Sequence, residues 1–218
     1  MTKILVIGAT GMTGKAIVAE ALSESLSVVA NGRRAEKLEE LRNEFSDIET
    51  LAKDAFELNK DDLKEIDIII DAFSTLPETA YLHVDLAAHL VALLRHSDKR
   101  IGFILGAGSL YTDSSRTKLV YEDIVSDEST KPWRAIPENQ LYELEFLRRV
   151  NNVNWFGVSP GVNFVPGEKS KNILTGDDIL LVNNEQISET TAGTMAFKVI
   201  EEVKKNQYPK TRFTVSNG

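Results

Sequence analysis

The 218-residue chain has no cysteine, which excludes disulfides, thiolate metal sites and a cysteine nucleophile. Histidine is nearly as scarce, and His83, His89 and His96 fall on one predicted helix. His89 and His96 share a face but stand roughly 10 Å apart along it, and His83 points elsewhere, so no i, i+4 ligand pair exists and no metal site is expected. No run approaches the roughly 18 apolar residues of a membrane span. The first apolar run turns into Gly-Ala-Thr too soon for a secretion signal, so a cytoplasmic location is the simplest expectation. Positive charge is short as well: the net charge of −8 argues against a nucleic-acid surface. Arg148-Arg149 reads as part of a solvated helix end.

Composition is otherwise that of an ordinary globular protein, with 42% hydrophobic and 27% charged residues, long enough for one domain with a substantial core. Apolar runs suggest strands at Lys3–Ile7, Ser27–Asn31, Asp67–Asp71, Arg100–Leu105 and Val153–Ser159, with a weaker one at Ile48–Ala52. Helical patterns lie between them at Met12–Ser23, Ala35–Phe45, Glu78–Arg95 and Glu138–Val150. Strands such as Ile68-Ile69-Ile70 are apolar without alternation, as a sheet covered on both faces requires. The expected fold class is α/β: a Rossmann-like, doubly wound parallel sheet. Residues 106–137 have little periodicity, and a connection of that length is often a lid or binding loop. The stretch from Pro160 adds a strand near Asp178–Val182, a helix near Ser188–Lys204 and a strand near Thr211–Val215. It reads as a small C-terminal, substrate-side lobe (residues 160–218) of a single domain spanning residues 1–218.

The strongest signal is Gly8-Ala9-Thr10-Gly11-Met12-Thr13-Gly14, placed between the first strand and the first helix. Strand, glycine turn and helix form the context of a dinucleotide site. Gly8 permits the turn, Gly11 lets backbone approach a pyrophosphate, and Gly14 lets helix pack on strand. The N–H groups of Thr10, Met12 and Thr13 would then face the phosphates at the helix start. The second strand ends in Asn31-Gly32-Arg33-Arg34, where NAD-specific sites of this design carry a carboxylate for the ribose 2′-hydroxyl. Here two arginines stand ready to pair with a 2′-phosphate, with Lys37 one turn on, so NADP(H) is the expected cofactor. The bland alternative is that the arginines only begin a solvated helix.

Ligands in such folds sit beyond the carboxyl ends of the strands. That places Asp54 and Ala55 beside the adenine, Ala72, Phe73 and Ser74 along the ribose, Gly106 near the nicotinamide, and Pro160 and Gly161 at the wall of its pocket. Ser74 and Thr75 could instead cap the next helix. Ser109 is the candidate catalytic serine, although a serine after glycine is also ordinary turn chemistry.

The G-x-x-G-x-x-G spacing resembles that of extended and atypical short-chain dehydrogenase/reductases. The larger short-chain family carries a Tyr-x-x-x-Lys pair on the helix before the sixth strand, the tyrosine as proton donor. Here Tyr142 is followed four residues later by Phe146, and none of the other tyrosines restores the pair. Tyr142 is expected to be a packing residue. Further along, Leu105-Gly106-Ala107-Gly108-Ser109-Leu110, Trp155, Ser159-Pro160-Gly161, Phe164, Pro166-Gly167, Ile187-Ser188 and Arg212-Phe213-Thr214-Val215 resemble bacterial NAD(P)H–flavin reductases and their NmrA-type relatives. Departures fall at Lys169-Ser170 and Pro132-Trp133-Arg134.

The resemblance implies a nicotinamide cofactor and a small-molecule hydride acceptor, with FMN, FAD or riboflavin as substrate. A planar, electron-poor ring accepts hydride while solvent supplies protons, so the protein's share is binding and orientation. Phe73, Tyr111, Trp133 and Phe164 are candidates to line the acceptor pocket. The competing expectation is an NmrA-type sensor that binds NADP(H) without turnover and reports to a protein partner. An epimerase or dehydratase with tightly held NAD is disfavoured by the arginines and the missing dyad.

Overall fold

The structure, a computed structural model, describes residues 2–218. The elements run β1 (Lys3–Ile7), α1 (Met12–Ser23), β2 (Ser27–Gly32), α2 (Ala35–Glu44), β3 (Ile48–Ala52), β4 (Ile68–Asp71), α3 (Leu82–Leu94) and β5 (Arg100–Ile104). They continue with α4 (Val120–Ser126), α5 (Ala135–Leu147), β6 (Asn154–Ser159), β7 (Asn163–Val165), β8 (Ile173–Gly176), β9 (Glu189–Thr191), α6 (Ala192–Lys205) and β10 (Arg212–Asn217). Eight strands form one sheet in the order β3-β2-β1-β4-β5-β6-β10-β8, parallel except for the antiparallel edge strand β8. The chain winds outward from β1 to β3 and then returns to β4 on the other side. The connections leaving β1 and β4 therefore diverge between those two strands, which opens a crevice at their carboxyl ends.

The continuous apolar strands are explained by two cores. Ile4, Val6, Ile68 and Ile70 face one side with α1, α2 and α6, while Leu5, Ile7 and Ile69 face the other with α3 and α5. A fully buried side chain of this kind contributes about 1.5–3 kcal/mol. Gly102 in β5 has no side chain because the Phe156 ring fills its place: a Cβ there would lie 2.3 Å from the ring.

The C-terminal segment both completes the sheet and borders the crevice. β10 pairs with β6, and α6 packs beside α1, while β7 and β9 form a separate two-stranded ladder. The strand expected at Asp178–Val182 lies instead at Ile173–Gly176. Asp178 is turned onto Arg212, and Ile179 keeps only an isolated bridge to Tyr111. α3 begins after a 3-10 turn at Pro77–Thr79 rather than at Glu78. It ends at Leu94 because Arg95 is extended, and His96, at φ 62°, lies outside the helix. α5 starts three residues earlier than its pattern predicts and admits Pro137 within its first turn, where no helical N–H is lost. The aperiodic stretch 106–137 holds α4 and two 3-10 turns.

Candidate functional site

The glycine turn is held by backbone contacts that leave no room for side chains. Gly8 adopts φ +70°, and a Cβ on it would meet the Ala72 carbonyl at 2.5 Å, so the β1 turn and the end of β4 touch directly. Gly14 is pressed on the turn, with an added Cβ 2.2 Å from the Gly8 carbonyl oxygen. Gly11 is different. It is exposed, and a Cβ would meet only that same oxygen, at 3.3 Å. α1 begins here with no side-chain cap and no acidic residue in its first turn, so its N–H groups and positive dipole end face the crevice unanswered. This arrangement fits a pyrophosphate.

A cavity of 410 Å³ lies along the carboxyl ends of β1, β4, β5 and β6, within the range of small-molecule sites. Of the residues expected at the site, Gly11, Met12, Thr13, Ala72, Phe73, Ser74, Gly106, Pro160 and Gly161 line it. Ser74 also borders a second hollow, which carries Arg33, Thr75 and Thr79. Arg33 and Arg34 are both exposed, and neither forms an ion pair among the described residues, whereas Lys37 is engaged by Glu40 at 2.6 Å. Thr10 is half-buried beside the turn. Asp54 caps the 3-10 turn that follows β3, accepting the Phe56 N–H at 3.1 Å, and Ala55 behind it is buried. Neither Asp54 nor Ala55 borders the cavity.

Three expectations need correction. Ser109 is 5% exposed and stands behind the cavity wall. Its hydroxyl accepts from Arg212 Nη1 at 3.2 Å, so it braces the loop and does not face a substrate. The same guanidinium donates to Ser159 Oγ at 2.8 Å, and Ser159 Oγ donates on to the Gly106 carbonyl at 2.9 Å. Arg212 thereby ties the Gly106 loop to the end of β6, two walls of the cavity. Tyr111 is absent from the lining, and its backbone bridges to Leu119 and Ile179. Tyr142 does not pack in the core: it is 50% exposed and donates to Glu138 Oε1 at 3.1 Å, and that carboxylate raises its pKa.

Much of the cavity wall is apolar, formed by Phe73, Ile104, Val120, Trp133, Ile136 and Phe164. Gln140 also enters it, and a Cβ on Gly106 would lie 2.3 Å from its Oε1. His83 does so too, its ring edge-on to Phe73 with centroids 5.4 Å apart. Behind His83 stand two carboxyl groups, Asp71 at 5% and Glu143 at 3% exposure. Asp71 accepts the Phe73 N–H at 3.0 Å, yet burial pushes its pKa up to about 7. Burial, then the charge of Asp71, raises Glu143 well above the usual carboxylate range. Burial lowers His83 to about 4.

Gln140 and Glu143 escaped the sequence reading, which considered His83 only as a metal ligand and did not place it at the site. The signal for His83 and Glu143 was a polar residue on an apolar stripe. His83 stands three and seven residues before Leu86 and Leu90, and Glu143 stands four before Leu147. No group of three or more metal-ligating side chains occurs among the described residues, and no described helix is long and apolar enough to cross a membrane.

Comparison with known proteins agrees with this geometry. Residues 4–132 match the model of the NAD dependent epimerase/dehydratase family. The uncharacterized protein YwnB of Bacillus subtilis is 31% identical over 215 residues, covering 98% of this chain and 97% of its own. A crystal structure of a Lactobacillus casei protein superposes with a TM-score of 0.90 at 35% identity, with each chain covered completely. A Streptococcus pneumoniae protein described as a candidate NADH-flavin reductase gives 0.89 at 34%, again over the full length of both. The glycine turn, the crevice at the strand ends and these likenesses together place the chain in the NAD dependent epimerase/dehydratase family, among the atypical short-chain dehydrogenase/reductases.

Proposed function

We propose that this protein is an NADPH-dependent oxidoreductase that passes hydride to a planar conjugated acceptor, a flavin or a quinone. The observation that carries the reading is the two-part crevice. One hollow is bordered by the glycine turn, the uncapped helix start and the apolar Phe73, Trp133 and Phe164; the other, which shares Ser74 with it, is bordered by Arg33. The candidate NADH-flavin reductase from Streptococcus pneumoniae supports the reaction class. The nicotinamide supplies the hydride. Gly11, Met12 and Thr13 would hold the pyrophosphate, and Arg33 with Arg34 the 2′-phosphate. Trp133 and Phe164 would stack on the acceptor, whose flat rings suit offset aromatic contacts. No tyrosine among the described residues lines the cavity, which suits an acceptor that needs no Tyr-Lys dyad. A cytoplasmic site of action accords with an NADPH requirement.

The test is NADPH oxidation by the purified protein with FMN, FAD, riboflavin and a small quinone panel, against NADH and protein-free controls. Saturable turnover favouring NADPH supports the reading. Tight NADPH binding without turnover for any acceptor overturns it in favour of a redox sensor that acts through a protein partner.

A further inference from the structure

Glu143 is the least expected side chain in the molecule. Its Oε2 is fully buried with no hydrogen-bond partner, and a second buried carboxyl, Asp71, is near enough to repel its charge. Neither carboxyl is paired with a lysine or arginine among the described residues. A buried carboxylate left in this way costs several kcal/mol, so such clusters are uncommon away from working sites. His83 Nδ1 lies 3.9 Å from Oε2, and His83 also lines the cavity. Three elements converge to make this line: β4 brings Asp71, α5 brings Glu143 and α3 brings His83.

We propose that His83 is the proton donor to the reduced acceptor and that Glu143 resupplies it, a relay that takes the place of the absent Tyr-Lys dyad. The proposal rests on the reductase reading above. Burial keeps the imidazole uncharged at neutral pH, and burial with the Asp71 charge favours the protonated form of the Glu143 carboxyl. A protonated Oε2 turned toward Nδ1 makes Nδ1 the acceptor and leaves the ring proton on Nε2. Hydride from the nicotinamide leaves the acceptor with an electron pair on a ring nitrogen or oxygen. That pair takes the Nε2 proton as the Nε2–H bond breaks. Nδ1 gains the proton of Glu143 as its O–H bond breaks. After the product departs, Nε2 takes a proton from solvent in the open cavity and Nδ1 returns its proton to the Glu143 carboxylate, which restores the starting tautomer. The gap of 3.9 Å must close by a small rotation, and such contacts commonly tighten only when substrate is bound.

The other groups facing the pair hold the proton on Glu143. Asp71 lies behind Glu143, the Phe73 N–H is already committed to Asp71, and the Phe73 ring covers one side of His83. A buried acid crowded by a second carboxyl keeps its proton and gives it up only when a strongly basic acceptor draws on it through His83.

The experiment compares wild type with Glu143→Gln and Glu143→Leu by two readouts. The first is the ¹⁵N spectrum of labelled histidine without any acceptor. His83 is expected as the neutral Nε2–H tautomer in wild type and Glu143→Gln, and as a tautomer mixture in Glu143→Leu. A protonated or Nδ1–H His83 in wild type at pH 7 overturns the proposal whatever the enzyme does. The second is turnover with whichever acceptor wild type reduces. Glu143→Gln keeps a similar shape but has no proton to give, so kcat is expected to fall about 100-fold, the low end for general acid catalysis. KM for NADPH should barely move, and the fall of kcat at high pH should disappear. Wild-type turnover with an unchanged Glu143→Gln rate and pH profile overturns the relay alone. No wild-type turnover with any acceptor overturns the reductase reading and the relay with it.

Discussion

Gly14 lies so close to Gly8 that a methyl group on its Cα would stand 2.2 Å from the Gly8 carbonyl oxygen and 2.7 Å from the carbonyl carbon. Both obstacles are backbone, so neither can swing aside. The turn and α1 are locked as one piece, and it is this piece that aims the helix start into the crevice.

Gly14→Ala is therefore expected to cost about 1–3 kcal/mol or more through overpacking, and to weaken NADPH binding with it. Gly11→Ala makes the opposite test, since its Cβ would meet only one oxygen, at 3.3 Å. Denaturant unfolding should find Gly11→Ala nearly as stable as wild type, while fluorescence titration finds its NADPH affinity lost. Equal destabilisation of the two variants would contradict the locked turn.

On the proposed reading the exposed arginines at the start of α2 serve the cofactor and not the fold. Arg33→Ala with Arg34→Ala should lower NADPH affinity by roughly 10–100-fold, the worth of one or two charge-assisted hydrogen bonds. NADH affinity and thermal stability should change little. Parallel losses for both nucleotides in calorimetric titrations would remove the 2′-phosphate assignment.

Asp71 and His83 oppose each other in their pH dependence. Asp71 titrates at about 7 in the folded protein against an ordinary value of 3.8. The folded state thus holds a proton that the unfolded chain releases, and stability falls as pH rises from about 4 to about 7. His83 titrates at about 4 against 6.5, so its contribution is present above pH 6.5 and is lost as pH falls toward 4. Asp71→Asn should remove the first effect alone and keep the contact with Phe73 N–H. Its stability gain over wild type should be near zero at pH 4 and grow to about 3–4 kcal/mol at pH 8. Urea unfolding at both pH values measures it, and a constant difference would mean that Asp71 does not titrate in this range.

Arg212 is 3% exposed and meets Asp178 through Nε at 2.8 Å and Nη2 at 2.5 Å, while the Asp178 side chain is 27% exposed. The two halves of the pair should not be equivalent. Asp178→Asn strands a buried cation and is expected to cost about 3–5 kcal/mol. Arg212→Met leaves a carboxylate that water and Arg148, 3.1 Å away, can still reach, so it should cost less. Melting temperatures of the two variants decide the order, and the reverse order would show that the guanidinium is better solvated than its surroundings suggest.

Much of this protein is written in local sequence. The glycine spacing after Ile4-Leu5-Val6-Ile7 and the non-alternating strands report a two-sided parallel sheet with a nucleotide turn, because each depends on neighbours a few residues apart. The backbone contact of Gly14 with Gly8 acts within seven positions, and the structure finds it where the spacing placed it.

What the sequence does not show is carried by contacts between distant segments. Ser109 looks catalytic by its place after β5 until Arg212, 103 residues away, takes its hydroxyl. The strand expected at Asp178–Val182 loses to Ile173–Gly176 because Asp178 is held by the same arginine. His83 and Glu143 are 60 positions apart on helices that each look ordinary, and they meet only when α3 and α5 pack on one face of the sheet. Local pattern sets which element forms and which face is apolar. Tertiary packing alone sets which polar groups lose their water, and that desolvation decides their protonation and the chemistry open to them.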